Sequence, residues 1–315
     1  MKNFAFVFPG QGSQSVGMLD AWGDHPAVRE TLAEASEALG QDIGLLIKEG
    51  PKETLALTTN TQPVMLVAGI AAWRAWLDEG GAQPSVVAGH SLGEYSALVA
   101  AGVLTLAQAA PLVRFRAQAM QEAVPVGTGA MAAVLGMAAE QVKAGCAEAT
   151  AAMGVPGEVV EAVNFNDPMQ TVIAGSKAAV ERACEPLKSQ GAKRALPLPV
   201  SAPFHSSLMK PAAEALARRL AEVELKAPQI PVLNNIDVAV ETDPARIREA
   251  LVRQAAGPVR WVESVQALHA RGVEAVVECG PGKVLSGMVK RIAPGLVSGF
   301  IQDPASLGEA RQLVA

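Results

Sequence analysis

The stretch Val86-Val87-Ala88-Gly89-His90-Ser91-Leu92-Gly93-Glu94 constrains this chain more than any other. Its apolar residues ending in glycine read as a buried strand of a parallel sheet. Beyond it, Leu92, Tyr95, Val99 and Val103 recur at helical spacing and predict an amphipathic helix. Strand, Gly-x-Ser-x-Gly and helix together predict a sharp turn that lifts the Ser91 hydroxyl out at the helix N-terminus. Amide groups and the helix dipole there suit a developing oxyanion, with Leu92 next to the serine. The bare pentapeptide also occurs as a plain glycine turn, so the flanking elements carry the reading. His90 either meets an acyl carbonyl or fills space beneath the turn.

The rest of the chain repeats the alternation. Phe4 to Phe8 and Val273 to Glu278 are further short apolar runs, separated by helical patterns over 26–39, 62–79, 92–102, 106–123, 208–223 and 245–255. A mostly parallel sheet covered by helices reads this way, which makes the main body α/β. Thr105 and Gln108 form a capping box ahead of the helix at 106–123, and Pro111 is expected to kink it or delay its start. Over 127–199 the order changes to strand 130–136, helix 138–153, strands 159–164 and 171–174, helix 177–190 and strand 194–199. That β-α-β-β-α-β order is ferredoxin-like. A small subdomain inserted over 127–199 is therefore expected, with 1–126 and 200–315 forming the catalytic body.

A serine nucleophile needs a base near neutral pH, and the chain has four histidines. His25 and His269 lie in or beside helices without a chemical setting. His205 sits in the loop Ser201-Ala202-Pro203-Phe204-His205-Ser206-Ser207 ahead of a helix, whose N-terminus would help keep the base neutral. No acid suits the third place of a triad: Asp167 is tempting, but Pro168 beside it suggests a turn. A backbone or amide oxygen could orient the imidazole instead.

In Phe8-Pro9-Gly10-Gln11-Gly12-Ser13-Gln14, glycines flank Gln11 and let main-chain amides approach a ligand. A dinucleotide fingerprint would need glycine where Ser15 stands, so an oxyanion contact at Gln11 is favoured over phosphate, with a plain turn as the alternative. Arg116 falls among Leu112, Val113, Ala119 and Met120 at helical spacing. Buried there it needs an anion, and a substrate carboxylate would pair with it in bidentate fashion. If it reaches solvent, as Arg114 is expected to, it needs none.

Composition narrows the rest. Half of the 315 residues are apolar and the net charge is −5, which gives no overall footprint for nucleic acid or an anionic membrane surface. The longest apolar stretch, 64–73, falls far short of the ~20 residues of a membrane span. Met1-Lys2-Asn3 leads straight into the first strand, too short for a secretory leader, so a cytoplasmic protein is expected. Cys146, Cys184 and Cys279 have neither Cys-x-x-Cys pairing nor metal-ligand spacing and read as reduced thiols.

Several motifs in order make the whole chain resemble the malonyl-CoA:acyl carrier protein transacylase family of bacterial fatty acid synthesis. They are Phe8 to Gln14, Gly89 to Glu94, Arg114-Phe115-Arg116, Asn164-Phe165-Asn166, Ala202-Pro203-Phe204-His205, Asn234-Asn235 and Glu278-Cys279-Gly280-Pro281-Gly282. The resemblance implies a hydrolase-like α/β body with the ferredoxin-like insertion. It implies Ser91 as the acylated nucleophile, His205 as its base, Gln11 and Leu92 as oxyanion-hole amides, Arg116 as the partner of the malonyl carboxylate, and the Gln254 carbonyl as the group that orients the histidine. Phe204 looks like the residue of malonyl-selecting members, where methylmalonyl transferases often carry serine. Lys283, Lys290 and Arg291 fall where similar chains are thought to dock the acidic carrier protein. No metal or bound cofactor is implied, the substrates being malonyl-CoA and phosphopantetheinylated carrier, and a monomer with a transient carrier partner is expected. The alternatives are the acyltransferase subunit of a malonate decarboxylase, and a serine esterase or thioesterase.

Overall fold

The computed structural model describes residues 1–200 and 202–315; Ser201, the first residue of the histidine loop, lies outside the described residues. In chain order the first elements are β1 (Phe4–Phe8), α1 (Pro26–Leu39), α2 (Ile43–Glu49), α3 (Lys52–Ala56), α4 (Thr58–Asp78), β2 (Val86–Gly89), α5 (Gly93–Ala100) and α6 (Leu106–Glu122). Then come β3 (Gly129–Leu135), α7 (Ala139–Met153), β4 (Val160–Asp167), β5 (Gln170–Ser176), α8 (Lys177–Ser189) and β6 (Arg194–Pro197). The chain closes with α9 (Lys210–Ala221), β7 (Val232–Leu233), α10 (Pro244–Ala255), α11 (Trp261–Ala270), β8 (Ala275–Cys279), α12 (Val284–Ile292), β9 (Val297–Ile301) and α13 (Pro304–Val314).

Two compact units result, one comprising Met1–Ala117, Glu222–Ile247 and Ser264–Ala315, the other Gln118–Ala221 and Arg248–Glu263. The first contains a sheet in the order β7-β2-β1-β8-β9, all parallel. β1 runs through its middle, Val7 opposite Ala88 on one side and Glu278 on the other. Both faces of this strand are covered, which explains why Phe4 to Phe8 is apolar throughout rather than alternating. Phe4 and Phe6 share one face and meet Trp73 and Trp76 of α4 edge-on, with centroids 5.2–6.1 Å apart.

Helix α4 begins at Thr58, earlier than the pattern from residue 62 predicts, and carries Pro63 inside it. Pro111 neither delays nor interrupts α6, contrary to expectation. Both prolines stand early in their helices, where a missing N–H removes a single intrahelical bond. The capping box ahead of α6 is formed: Thr105 N donates to Gln108 Oε1 at 3.0 Å, and Gln108 N to Thr105 Oγ1 at 3.2 Å.

The second unit has an antiparallel sheet in the order β4-β5-β3-β6, with α7 and α8 in the connections. This is the ferredoxin-like arrangement of the β-α-β-β-α-β chain order. Ala132, Val134, Ile173, Val142, Cys146 and Leu187 fill the core beneath the helices. The unit is wider than the 127–199 segment. Val259 adds to the outer edge of β4, where Phe165 N donates to Val259 O at 3.0 Å and Val259 N to Val163 O at 2.8 Å. Among the described residues no helix is long and apolar enough to cross a membrane.

Candidate active site

In the first unit, β2 stops at Gly89 and α5 starts at Gly93, so Ser91 stands on the turn between them with φ of 53°. A side chain at Gly89 would bring its Cβ to 1.9 Å from the Gly93 carbonyl carbon; one at Gly93 would lie 2.0 Å from Phe8 O. Glycine is thus demanded on both sides, by the bend itself and by the approach of β1. The turn after β1 abuts the same place, for a Cβ on Gly10 would sit 2.7 Å from His90 O. His90 is held at the main chain, its N donating to Phe8 O at 3.0 Å, and its side chain is half-buried.

Asn235, marked by the sequence only as part of a motif, clamps this bend. Its Oδ1 accepts from Ser91 N at 2.7 Å and its Nδ2 donates to Gly89 O at 2.7 Å. Its own N donates to the buried Glu94 carboxylate at 2.9 Å. The Ser91 amide is thereby engaged with Asn235, and Leu92 stands at the N-cap of α5.

Arg116 is only 2% exposed, which settles the choice between a buried and a solvent-reaching guanidinium. One terminal nitrogen donates to Gln62 Oε1 at 2.7 Å and the other to Ser91 Oγ at 3.2 Å. The guanidinium carbon lies 5.4 Å from the centre of the Tyr95 ring. Burial lowers the Arg116 pKa, while Tyr95 and Glu94 nearby favour its charge. Burial likewise pushes the Tyr95 phenol up to about 12. Arg114 is only partly buried, donating to Gln41 Oε1 at 2.6 Å. Gln11 is exposed on the turn after β1, and its Oε1 accepts from Thr58 Oγ1 at 2.9 Å.

In the second unit, His205 is buried and also left-handed, with φ of 67°. Its Nδ1 lies 3.0 Å from Gln254 O and 3.2 Å from Gly257 O. Carbonyl oxygens only accept, so Nδ1 carries a proton, and whenever the ring is neutral its lone pair is on Nε2. Two backbone carbonyls thus hold the Nδ1 side of the ring, and the second of them, from Gly257, has no side-chain signal in the sequence. Asp167 does what Pro168 suggested: its Oδ1 accepts from Met169 N at 2.8 Å and closes the turn into β5. Phe204 packs against Met131, Val163, Val172 and Ala174 on the sheet face.

The remaining candidates lie elsewhere. Lys283 caps α12 with Nζ 5.7 Å from the Phe300 ring centre, and Lys290 and Arg291 are exposed in its last turn. The cysteines are free thiols; burial pushes Cys146 up to about 12 and Cys279 well above the ordinary thiol range. Among the described residues no group of three or more His, Cys, Asp or Glu could hold a metal ion.

Known proteins share this arrangement of elements. Residues 5–294 match the acyl transferase domain family. The malonyl CoA-acyl carrier protein transacylase of Salmonella typhimurium is 54% identical over 311 residues, covering 98% of this chain and 99% of that protein. The crystal structure of the acyl-carrier-protein S-malonyltransferase of Burkholderia pseudomallei superposes with a TM-score of 0.96 at 67% identity, covering 99% of this chain and 100% of that one. A type II PKS acyl-carrier protein in complex with its malonyl-transacylase matches with a TM-score of 0.95 at 51% identity over 99% of each chain.

Proposed function

The chain belongs to the acyl transferase family, among the malonyl-CoA:acyl carrier protein transacylases, and from that premise we propose that it moves malonyl from malonyl-CoA to the phosphopantetheine thiol of an acyl carrier protein. Fatty acid or polyketide synthesis would use the product. The observation that carries the substrate choice is the buried Arg116 guanidinium donating to the Ser91 hydroxyl. A single carbon separates the two carboxyl-derived groups of a malonyl chain, so a cation touching the nucleophile suits that short diacid.

The proposed reaction is ping-pong. Nε2 of His205 takes the Ser91 proton as Oγ bonds the thioester carbonyl carbon, and amides at Gln11 and Leu92 receive the oxyanion. The carbon–sulfur bond then breaks, and the coenzyme A sulfur leaves with the proton from the imidazolium. In the second half the pantetheine thiol gives its proton to His205 and its sulfur takes the malonyl group, while Oγ recovers a proton. Gln254 holds the ring through its carbonyl. His90 and Phe204 are proposed to border the acyl group, and the cations of α12 to meet the acidic carrier. These steps use side chains and main-chain groups alone and call for no bound metal or cofactor. A cytoplasmic monomer fits the reading.

Intact mass after mixing with malonyl-CoA, methylmalonyl-CoA and acetyl-CoA in turn tests it. Malonyl should add to Ser91, persist until a phosphopantetheinylated carrier arrives, and then leave on the carrier thiol. Rapid release of free malonate without carrier would replace transferase with hydrolase, and no adduct at all would overturn the assignment.

A further inference from the structure

We propose that Gln62 and Thr58 are positioning residues that tie recognition of the acyl carboxylate at Arg116 to the placement of the Gln11 turn. The inference rests on the transferase reading and extends it to residues the mechanism has not used. Arginine has donors only, so the Gln62 amide must turn Oε1 toward Arg116, where the bond measures 2.7 Å. That fixes Nε2 on the other side, donating to Thr58 Oγ1 at 3.3 Å one helical turn earlier in α4. The threonine oxygen is now an acceptor, and its single proton goes to Gln11 Oε1 at 2.9 Å.

Every bond in the chain Arg116, Gln62, Thr58, Gln11 therefore has one direction, set from the guanidinium outward. Thr58 and Gln62 are buried whereas Gln11 is exposed, so the rigid end of the relay holds the loose one. Polarised chains of this kind strengthen each link. A carboxylate arriving at Arg116 redistributes that guanidinium's donors, and the relay passes the change to the turn whose amide is proposed to meet the oxyanion. A charged acyl chain would thus improve the placement of the catalytic amide, beyond simply binding better.

The test measures acylation of Ser91 by malonyl-CoA and acetyl-CoA in the wild type, Thr58→Val, Thr58→Ser, Gln62→Leu and the Val/Leu double variant, with thermal unfolding alongside. Thr58→Val should lower kcat for malonyl about fivefold, the worth of one neutral hydrogen bond, with KM unchanged, and Thr58→Ser should restore it. Gln62→Leu should reduce the malonyl-to-acetyl preference about tenfold, the scale of a hydrogen bond to a charged group. Thr58→Val should add nothing on top of Gln62→Leu, because the relay is already cut. If Thr58→Val fails to fold, Thr58→Ala carries the same arm. Additive losses in the double variant, or a Thr58→Val enzyme equal to wild type, overturn the relay alone. A wild type that takes no malonyl group overturns the functional reading and the relay with it.

Discussion

Ser91 and His205 both hold φ angles in the left-handed region, at 53° and 67°, where a non-glycine residue costs roughly 1–3 kcal/mol. The cost at Ser91 is held in place by Asn235, which bonds the chain on both sides of the bend. Ser91→Ala and Ser91→Gly both lose the hydroxyl, but only glycine is at ease at this φ. Urea unfolding should therefore find Ser91→Gly more stable than Ser91→Ala by about 1 kcal/mol, with neither taking up malonyl; equal midpoints would mean the bend stores no strain. Arg116→Ala should cut malonyl kcat/KM roughly 10–100-fold, the range of a charge-assisted bond, while acetyl uptake is spared or improved. An equal loss with both thioesters would contradict its role. The sequence marks Ser91, His205 and Arg116 as candidates because each sits in a local pattern, whereas Asn235 bonds Ser91 from 144 positions away and Gly257 meets His205 through its carbonyl. Partners of that kind have no local periodicity to reveal them.

Elements were readable where one physical rule dominated. Phe4–Phe8 announces a strand buried on both faces, and 26–39 announces α1 to the residue because Pro26 and Gly40 punctuate it. β7 has only two residues, and β9, Val-Ser-Gly-Phe-Ile, is an edge strand paired on one side and half-buried. Neither presents an apolar run long enough to be seen. Helix α12 is amphipathic in a way that bears on function: Leu285, Met288 and Val289 are buried while Lys283, Lys290 and Arg291 are exposed. Reversing charge with Lys290→Glu and Arg291→Glu should raise KM for the carrier about fivefold at low salt, less as salt screens the attraction. Acylation by malonyl-CoA alone should stay at the wild-type rate. A carrier KM that ignores both substitutions and salt would remove α12 from the docking surface.

At the scale of the whole molecule, each unit closes its own sheet, and the parallel one buries a carboxyl on β8, the strand beside central β1. Glu278, at 0% exposure on β8, accepts from Ser286 N at 2.8 Å and links the strand to α12. Ser286 Oγ lies 2.8 Å from Gly299 O and 3.0 Å from Glu278 Oε2. The hydroxyl has one proton for these two acceptors, so Ser286 donates to Glu278 when the carboxyl is charged, and Glu278 can itself donate to Ser286 Oγ when it is protonated. Burial raises the Glu278 pKa, with the Ser286, Leu285 and Val284 bonds opposing it. Because the folded state then holds this proton more tightly than the unfolded chain, stability is fullest below the unfolded carboxyl value. It falls as pH rises from that value through the folded one. Glu278→Gln keeps an acceptor for Ser286 and cannot ionise, so it should abolish that fall. In urea melts the variant should match wild type near pH 4 and exceed it by roughly 1 kcal/mol at pH 7.5, the scale of one buried polar group relieved of its desolvation cost. A variant less stable than wild type at pH 7.5 would show instead that folding lowers the Glu278 pKa, the amide bonds from α12 outweighing burial.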